Sequence, residues 1–566
     1  MNKSKASKKN KSIYENKKLF ISLIAIGIFF LYSKIISFDF IGFDEPTLIF
    51  DNYKFIRDIG NIPETFKHHI FDAPNHFNDS KDYYRPFLTI SLILDAQFGG
   101  KTPTPAFYHF TNIIIHISCS LLLFLLFHRL KVNATGASLL TALFAVHPLL
   151  TQAIAWIPGR NDSLVTLFIL LSFIFFLKHQ EKPAWKYFFL HLLFFTMALY
   201  TKENAIMFVF VCFYYLFFIE KRILVMNIED NGKVFKNFTR KYKQPLIFIP
   251  GYSTIIICWF FMRNSALEGN TNGLSISSIN ESLLRNFPLL IQYIQKSILP
   301  LNLSVMSTIK DTNYILGFLS IFLIALGIYF TKQRRWNWMI FGIYWFVVFL
   351  LPSLLASYFE GLEHRAYLSI VGLLICISEF DIIKNLELNK FKFGKIGFAV
   401  VVLYSIITFM RLPIFKNRLN YWVNAVSTSD NSSLSCLNLG KTYEEMGLYD
   451  KAIVAYGEGL KRNGEERMLH NNIGGAYIIQ KKYTEAEFEL KQELNSHPDN
   501  SYAYYNLGLV HKLTGKIEKA VPLWEKTLEH NKDFINAYQQ LADYYKQKND
   551  VVNFNRCVKE LRKRNL

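Results

Sequence analysis

Residues 137–177 read ASLLTALFAVHPLLTQAIAWIPGRNDSLVTLFILLSFIFFL: two apolar runs joined by the polar turn Gly159–Asp162. Runs of this length and composition belong in hydrocarbon, where each crosses or nearly crosses a bilayer. Working outward from them, comparable runs occur at 19–36, 107–127, 136–156, 163–177, 186–200, 205–219, 245–262, 314–331, 337–355, 366–380 and 395–412. The expected fold is all-α, a polytopic helical bundle of about 11 spans, several of them short enough to be tilted or re-entrant. Across 566 residues, 51% are hydrophobic, 16% aromatic and 19% charged, which is too apolar for a string of soluble domains. Gly, Pro and Cys are too scarce for a collagen-like, disordered or disulfide-stapled chain.

The net charge of +19 is divided into short basic clusters between apolar runs, without the single basic face that a nucleic-acid binder presents. The clusters follow the rule that Lys and Arg of short loops stay cytoplasmic. Arg129 and Lys131; Lys178, Lys182 and Lys186; Lys221 to Lys243; Lys332, Arg334 and Arg335; and Lys384 to Lys395 all fall on the side of the Lys-rich tail. The longer loops 37–106 and 263–313 fall on the other side. The segment 19–36 is expected to be an uncleaved anchor. An odd number of spans then exports the C-terminus, and a bacterial inner membrane is favoured over an endoplasmic reticulum. The expected organisation is a basic cytoplasmic tail (1–18), a transmembrane domain (19–412), a linker (413–432) and a repeat domain (433–566).

The repeat domain is visible by self-alignment. Asn438-Leu439-Gly440, Asn472-Ile473-Gly474, Asn506-Leu507-Gly508 and Gln540-Leu541-Ala542 recur every 34 residues, with Ala452, Ala486 and Ala520 forming a second column. This period resembles the tetratricopeptide repeat, an α-solenoid of stacked helix pairs whose concave face holds a peptide or a partner helix. Asn438, Asn472 and Asn506 are the candidate acceptor-binding residues of that groove, or else satisfy neighbouring backbone. Phe554 breaks the alanine column, which suits a terminal cap.

Ionisable residues at membrane depth are costly and mark sites or wet cavities. Here they collect in one layer, at the outer ends of the expected spans. Asp44 and Glu45 follow the first; Arg85 lies in DYYRPFLTI; His147, Arg160 and Asp162 lie in AVHPLLTQAIAWIPGRND; Lys202 and Glu203 lie in LYTKENA; Glu363, His364 and Arg365 lie in EGLEHRAYL. Any one of these clusters taken alone could be an interfacial charge. Five of them at one depth imply a shared pocket.

FDEPT, YRPF, FAVHPLLTQAIAWIPGRND, TKENA and EHRAYL, followed by tandem repeats, resemble the transmembrane and tetratricopeptide repeat-containing O-mannosyltransferases and their bacterial relatives, within the GT-C glycosyltransferase superfamily. Ser369 departs from the proline expected after EHRAYL. The resemblance implies transfer of a sugar from a polyprenyl-phosphate carrier to Ser or Thr of an exported polypeptide, beside the lipid bilayer. Asp44, with Glu45 as assistant or substitute, would be the catalytic base. Arg85, Arg160, Lys202, His364 and Arg365 would hold the donor phosphate, and His147, Asp162, Glu203 and Glu363 would orient those cations or touch the sugar. No cofactor is expected to be obligatory, and a divalent metal is not favoured because an Asp-Glu step lacks a full ligand set. A lipid-linked or cell-envelope glycan as acceptor, and a non-catalytic anchored scaffold, are the competing readings.

Overall fold

A chain segment in hydrocarbon has no water to satisfy its backbone, so each apolar run must close its own hydrogen bonds as a helix. The computed structural model describes residues 17–70, 83–220, 234–267, 276–355, 360–386 and 393–564. Among them every regular element is helical, and each of the eleven apolar runs is wholly or mostly helix. Residues 1–16, with most of the basic tail, lie outside the described residues, as do Lys221, Arg222, Lys233, Lys390 and Lys392.

The chain forms two units, Met1–Val305 with Thr312–Tyr421, and Met306–Asp311 with Trp422–Leu566. Among the described residues of the first, six helices are long and apolar enough to cross a membrane: Lys17–Ser37, Pro105–Arg129, Arg160–Glu181, Ile247–Ala266, Trp336–Leu354 and Gly394–Phe415. The run 136–156 is not one straight span. It is a pair, Ala134–Ala145 and Pro148–Ala155, bent by 44°. Pro148 causes the break, since proline restricts the residue before it and lacks an N–H, and His147 caps the new start by accepting from the Leu149 amide (3.3 Å). Pro86–Ala96, Trp185–Leu199, Glu203–Ile219 and Tyr314–Phe330 are shorter apolar helices, and the thirteen-residue Ala366–Ser378 is buried on almost every side. The count of eleven full spans is therefore not established.

Two of these helices set the position of the site. Trp336–Leu354 and Ala366–Ser378 pack through Gly342 and Gly372, where a Cβ on either glycine would come within 2.5 Å of the other's carbonyl oxygen. Small residues allow helix backbones to approach this closely in membranes. The contact brings the C-terminal end of the first helix beside the N-terminal end of the second.

The second unit contains four antiparallel helix pairs. They are Ser433–Glu445 with Tyr449–Arg462, Leu469–Ile479 with Tyr483–Ser496, Ser501–Leu513 with Ile517–His530, and Ile535–Gln547 with Val551–Arg564. The 34-residue columns follow from packing. Ala452, Ala486 and Ala520 are fully buried, and a Cβ on Gly508 would sit 2.4 Å from the Trp524 indole nitrogen. Glu493, also fully buried, joins two repeats by accepting from the backbone of Met468 (2.9 Å) and Asn471 (3.2 Å) and from Asn500 Nδ2 (2.7 Å). The stretch expected as a linker is helical at Leu412–Phe415 and Arg418–Thr428.

Candidate active site

The polar ends of the helices in the first unit enclose a cavity of about 400 Å³. It is lined by Phe43, Asp44, Tyr83, Arg85, Trp156, Asn161, Asp162, Lys202, Glu203, Asn204, Ser353, His364 and Arg365, among others. These residues reach it from six separate parts of the chain. Of the sequence-derived candidates, Asp44, Arg85, Asp162, Lys202, Glu203, His364 and Arg365 line the cavity. Glu45, His147, Arg160 and Glu363 do not.

Two of the three cations that line the cavity, Arg85 and Lys202, are held by carboxylates. Arg85 forms a fork with Glu203, Nε to Oε2 at 3.2 Å and Nη2 to Oε1 at 2.6 Å. It also stacks over the Tyr83 ring at 4.3 Å. Asn161, with its amide oriented so that the oxygen accepts from Arg85 Nη1 (2.9 Å) and the nitrogen donates to Thr201 O (2.9 Å), ties that fork to the next loop. Lys202 donates to both oxygens of Asp162 at 2.7 Å. Arg365 donates to the Glu360 carbonyl at 3.3 Å. Three cations thus face three carboxylates when Asp44 is ionised, and the pairs fix the cations before any ligand arrives.

Asp44 and Glu45 are adjacent but differently engaged. Glu45 turns inward and accepts from the backbone amides of Ile41 (3.4 Å) and Phe43 (3.0 Å), so it shapes the turn that presents Asp44. Burial and the Glu45 charge push the Asp44 carboxyl up to about 7, against the opposing pull of Arg85. A carboxyl ionising near neutral pH suits general-base work.

His364 departs from its expected role as a phosphate-binding cation. Burial, with Lys202, Arg365 and Arg85 nearby, holds its pKa well below the usual histidine range and favours the neutral ring. Gln152, a residue that the sequence reading passed over, sets its tautomer. The Gln152 Nε2 donates to Val305 O (3.0 Å) and the Tyr421 hydroxyl (3.2 Å). Its Oε1 is therefore the acceptor that receives the His364 backbone N–H (3.1 Å) and Nδ1–H (3.2 Å). The His364 Nε2 is left as an acceptor, 3.8 Å from Asp162 Oδ2.

The remaining candidates lie in other networks. Arg160 is wholly buried among the helices Pro86–Ala96 and Pro105–Arg129. Its guanidinium meets Asp95 (2.6 Å), Asn112 Oδ1 (2.6 Å), Tyr108 O (2.7 Å) and Ser91 Oγ (3.2 Å). Glu363 pairs with Arg411 (2.8 Å) and Lys296 (3.4 Å) and accepts from the Ser304 amide (2.7 Å). His147 Nε2 bonds the Ser297 carbonyl at 3.1 Å. Arg160 and Glu363 each anchor a segment whose next residue, Asn161 or His364, lines the cavity. In the repeats, Asn438 donates to Leu434 O within its own helix (2.9 Å), Asn472 Oδ1 accepts from Asn471 (3.1 Å), and Asn506 donates to Asn471 Oδ1 (2.9 Å). All three are half-buried and engaged inside the repeats.

The first unit is thus a helical membrane body whose polar loops line one charged cavity, and the second a run of tetratricopeptide-like helix pairs. Residues 103–229 match the family described as dolichyl-phosphate-mannose-protein mannosyltransferase, and residues 434–466 match the tetratricopeptide repeat. The chain resembles the transmembrane and tetratricopeptide repeat-containing O-mannosyltransferases. It is 21% identical over 543 residues to Protein O-mannosyl-transferase TMTC3 of Mus musculus, covering 88% of this chain and 58% of that one. It is 30% identical over 156 residues to Protein O-mannosyl-transferase Tmtc1 of Drosophila melanogaster, covering 28% and 18%. Over 149 residues it is 33% identical to Protein O-mannosyl-transferase TMTC4 of Mus musculus, covering 24% and 20%. The chain spans less than two thirds of the length of these relatives. The mannosyltransferase match includes Asp162, Lys202 and Glu203 but stops short of Asp44, Arg85, His364 and Arg365, which the fold adds to the cavity.

Proposed function

We propose that this chain is a glycosyltransferase that moves a hexose, mannose by family resemblance, from a polyprenyl-phosphate carrier to a Ser or Thr hydroxyl of an exported polypeptide. The observation that carries this reading is the meeting of Asp44, Arg85, Lys202 and Arg365 around one cavity. Asp44 accepts the hydroxyl proton as the new bond from oxygen to the anomeric carbon forms. The bond from that carbon to the phosphate oxygen breaks, and the phosphate leaves with the electron pair. Arg85, Lys202 and Arg365 neutralise the charge growing on it, and because carboxylates already hold two of these cations in place, little reorganisation accompanies the step. The His364 Nε2 accepts from a sugar or acceptor hydroxyl, and Trp156 supplies an apolar wall. The repeats bind the acceptor polypeptide and raise the local concentration of its hydroxyls.

In this reading the N-terminus is cytoplasmic, the repeats are extracytoplasmic, and the membrane is a bacterial inner membrane. Membranes containing the full-length chain, given labelled polyprenyl-phosphate mannose, are expected to place label in protein, and transfer is expected to persist in a chelator. Label entering lipid alone would assign a lipid-linked or envelope glycan as acceptor. No transfer under any condition would leave the anchored scaffold.

A further inference from the structure

A second cavity, of about 350 Å³, lies in the same unit and is lined by Lys131, Val132, Asn133, Gln333, Arg335, Ser378 and Lys384. Two helices relate it to the active-site cavity. Trp336–Leu354 begins beside Arg335 in this second cavity and carries Pro352 and Ser353 in the first; Ala366–Ser378 follows Arg365 in the first and ends at Ser378 in the second. Nineteen helical residues rise about 28 Å, close to the hydrocarbon thickness of a bilayer. The two cavities therefore open at opposite membrane faces. Beside the second one Tyr329, Phe330 and Trp336 are 71%, 67% and 51% exposed. Aromatic side chains gather in this way at headgroup depth.

The lining is cationic and held in shape. Glu379, almost fully buried, pairs with Arg335 (2.5 Å) and Lys384 (2.9 Å) and holds both in place. Lys384 also donates to Gln333 O (3.0 Å), and Asn133 Nδ2 ties the turn by donating to the carbonyls of Ile383 (2.8 Å) and Lys384 (2.7 Å). Lys131 stands just past the end of Pro105–Arg129 in the left-handed region, φ 61°, and its ammonium has no partner among the described residues. Three cations against one carboxylate leave a surplus of two positive charges. The helix ends here are mixed: the starts at Asn133 and Arg335 favour an anion, and the ends of Pro105–Arg129 and Ala366–Ser378 oppose it. The side-chain charges therefore decide the sign.

We infer that this cavity binds the phosphate of an anionic membrane lipid, on the face opposite the active site. Basic pockets between helix ends at headgroup depth recognise such headgroups, and Arg335 can present two parallel N–H groups to a phosphate. The test is retention of phosphatidylglycerol by the purified full-length protein, measured by native mass spectrometry against phosphatidylcholine. Lys131→Gln disturbs no internal pair and is expected to weaken retention about fivefold. Lys131→Gln with Lys384→Gln is expected to weaken it further, and Lys182→Gln, an exposed control, to leave it unchanged. Equal retention of both lipids, unchanged retention in Lys131→Gln, or displacement of the lipid by millimolar inorganic phosphate would each overturn the assignment.

Discussion

Asp44→Asn is expected to lower sugar transfer by about 10²–10⁴-fold, the usual contribution of a positioned general base, while the protein still inserts and keeps its thermal transition. Asparagine keeps the shape of the side chain and removes its proton affinity. The Glu45→Gln variant separates the two neighbours. Glu45 accepts from two backbone amides and does not line the cavity, so its loss is expected to destabilise the turn and, because its charge raises the Asp44 carboxyl, to move the pH limb to lower pH without abolishing it. That profile is itself a signature. The Asp44 carboxyl is held up to about 7 by burial and by Glu45, and the base acts only when ionised. The kcat/KM should therefore rise through a limb near 7 and level off above it, since kcat/KM follows the free enzyme. Arg85 opposes the upward shift, so Arg85→Gln should carry the limb to higher pH. Near-normal turnover in Asp44→Asn, or a limb that Asp44→Asn leaves in place, would remove Asp44 from the role of base.

The second large effect concerns stability. Arg160 and Asp95 form a buried pair, with Asn112, Tyr108 and Ser91 taking up the other guanidinium hydrogens. Removing one partner of such a pair leaves an uncompensated charge and costs about 3–5 kcal/mol. Arg160→Met is therefore expected to lower the thermal transition of the detergent-solubilised protein sharply, with the donor KM of the folded fraction unchanged. Adding Asp95→Leu should recover much of the loss, because replacing both buried charges by apolar side chains is often neutral or stabilising. A stable Arg160→Met with a raised donor KM would instead support the phosphate-binding role that the sequence motif suggests.

That contrast shows where the sequence was informative. Spans and repeats repeat one physical demand many times, apolarity over a helix length or a small residue every 34 positions, so both were legible without coordinates. The layer of Asp44, Arg85, Asp162, Lys202, Glu203, His364 and Arg365 was legible because charges at membrane depth need a reason. The direction in which each neighbour faces was not. Glu363, His364 and Arg365 share one 3₁₀ turn, whose three residues per turn send adjacent side chains to different sides. Only His364 and Arg365 enter the cavity; Glu363 meets Arg411 and Lys296. Asp44 and Glu45 diverge where a bend meets the start of the helical turn Pro46–Phe50. The partner of Arg160 had one visible signal, an acid inside the apolar stretch ISLILDAQ, and Gln152 had another, an amide within TQAIAW. Neither sits in a charged cluster, so neither marks a site until the helices are packed.

In the proposed reaction the lipid-phosphate donor reacts in the cavity lined by Asp44, Arg85, Lys202, His364 and Arg365. A density map of the protein with a polyprenyl-phosphate sugar bound tests it most directly. The phosphate is expected within ion-pairing reach of Lys202 and Arg365, with the anomeric carbon facing Asp44. A donor bound elsewhere, with this cavity closed to it, would show that sugar transfer takes place at another site.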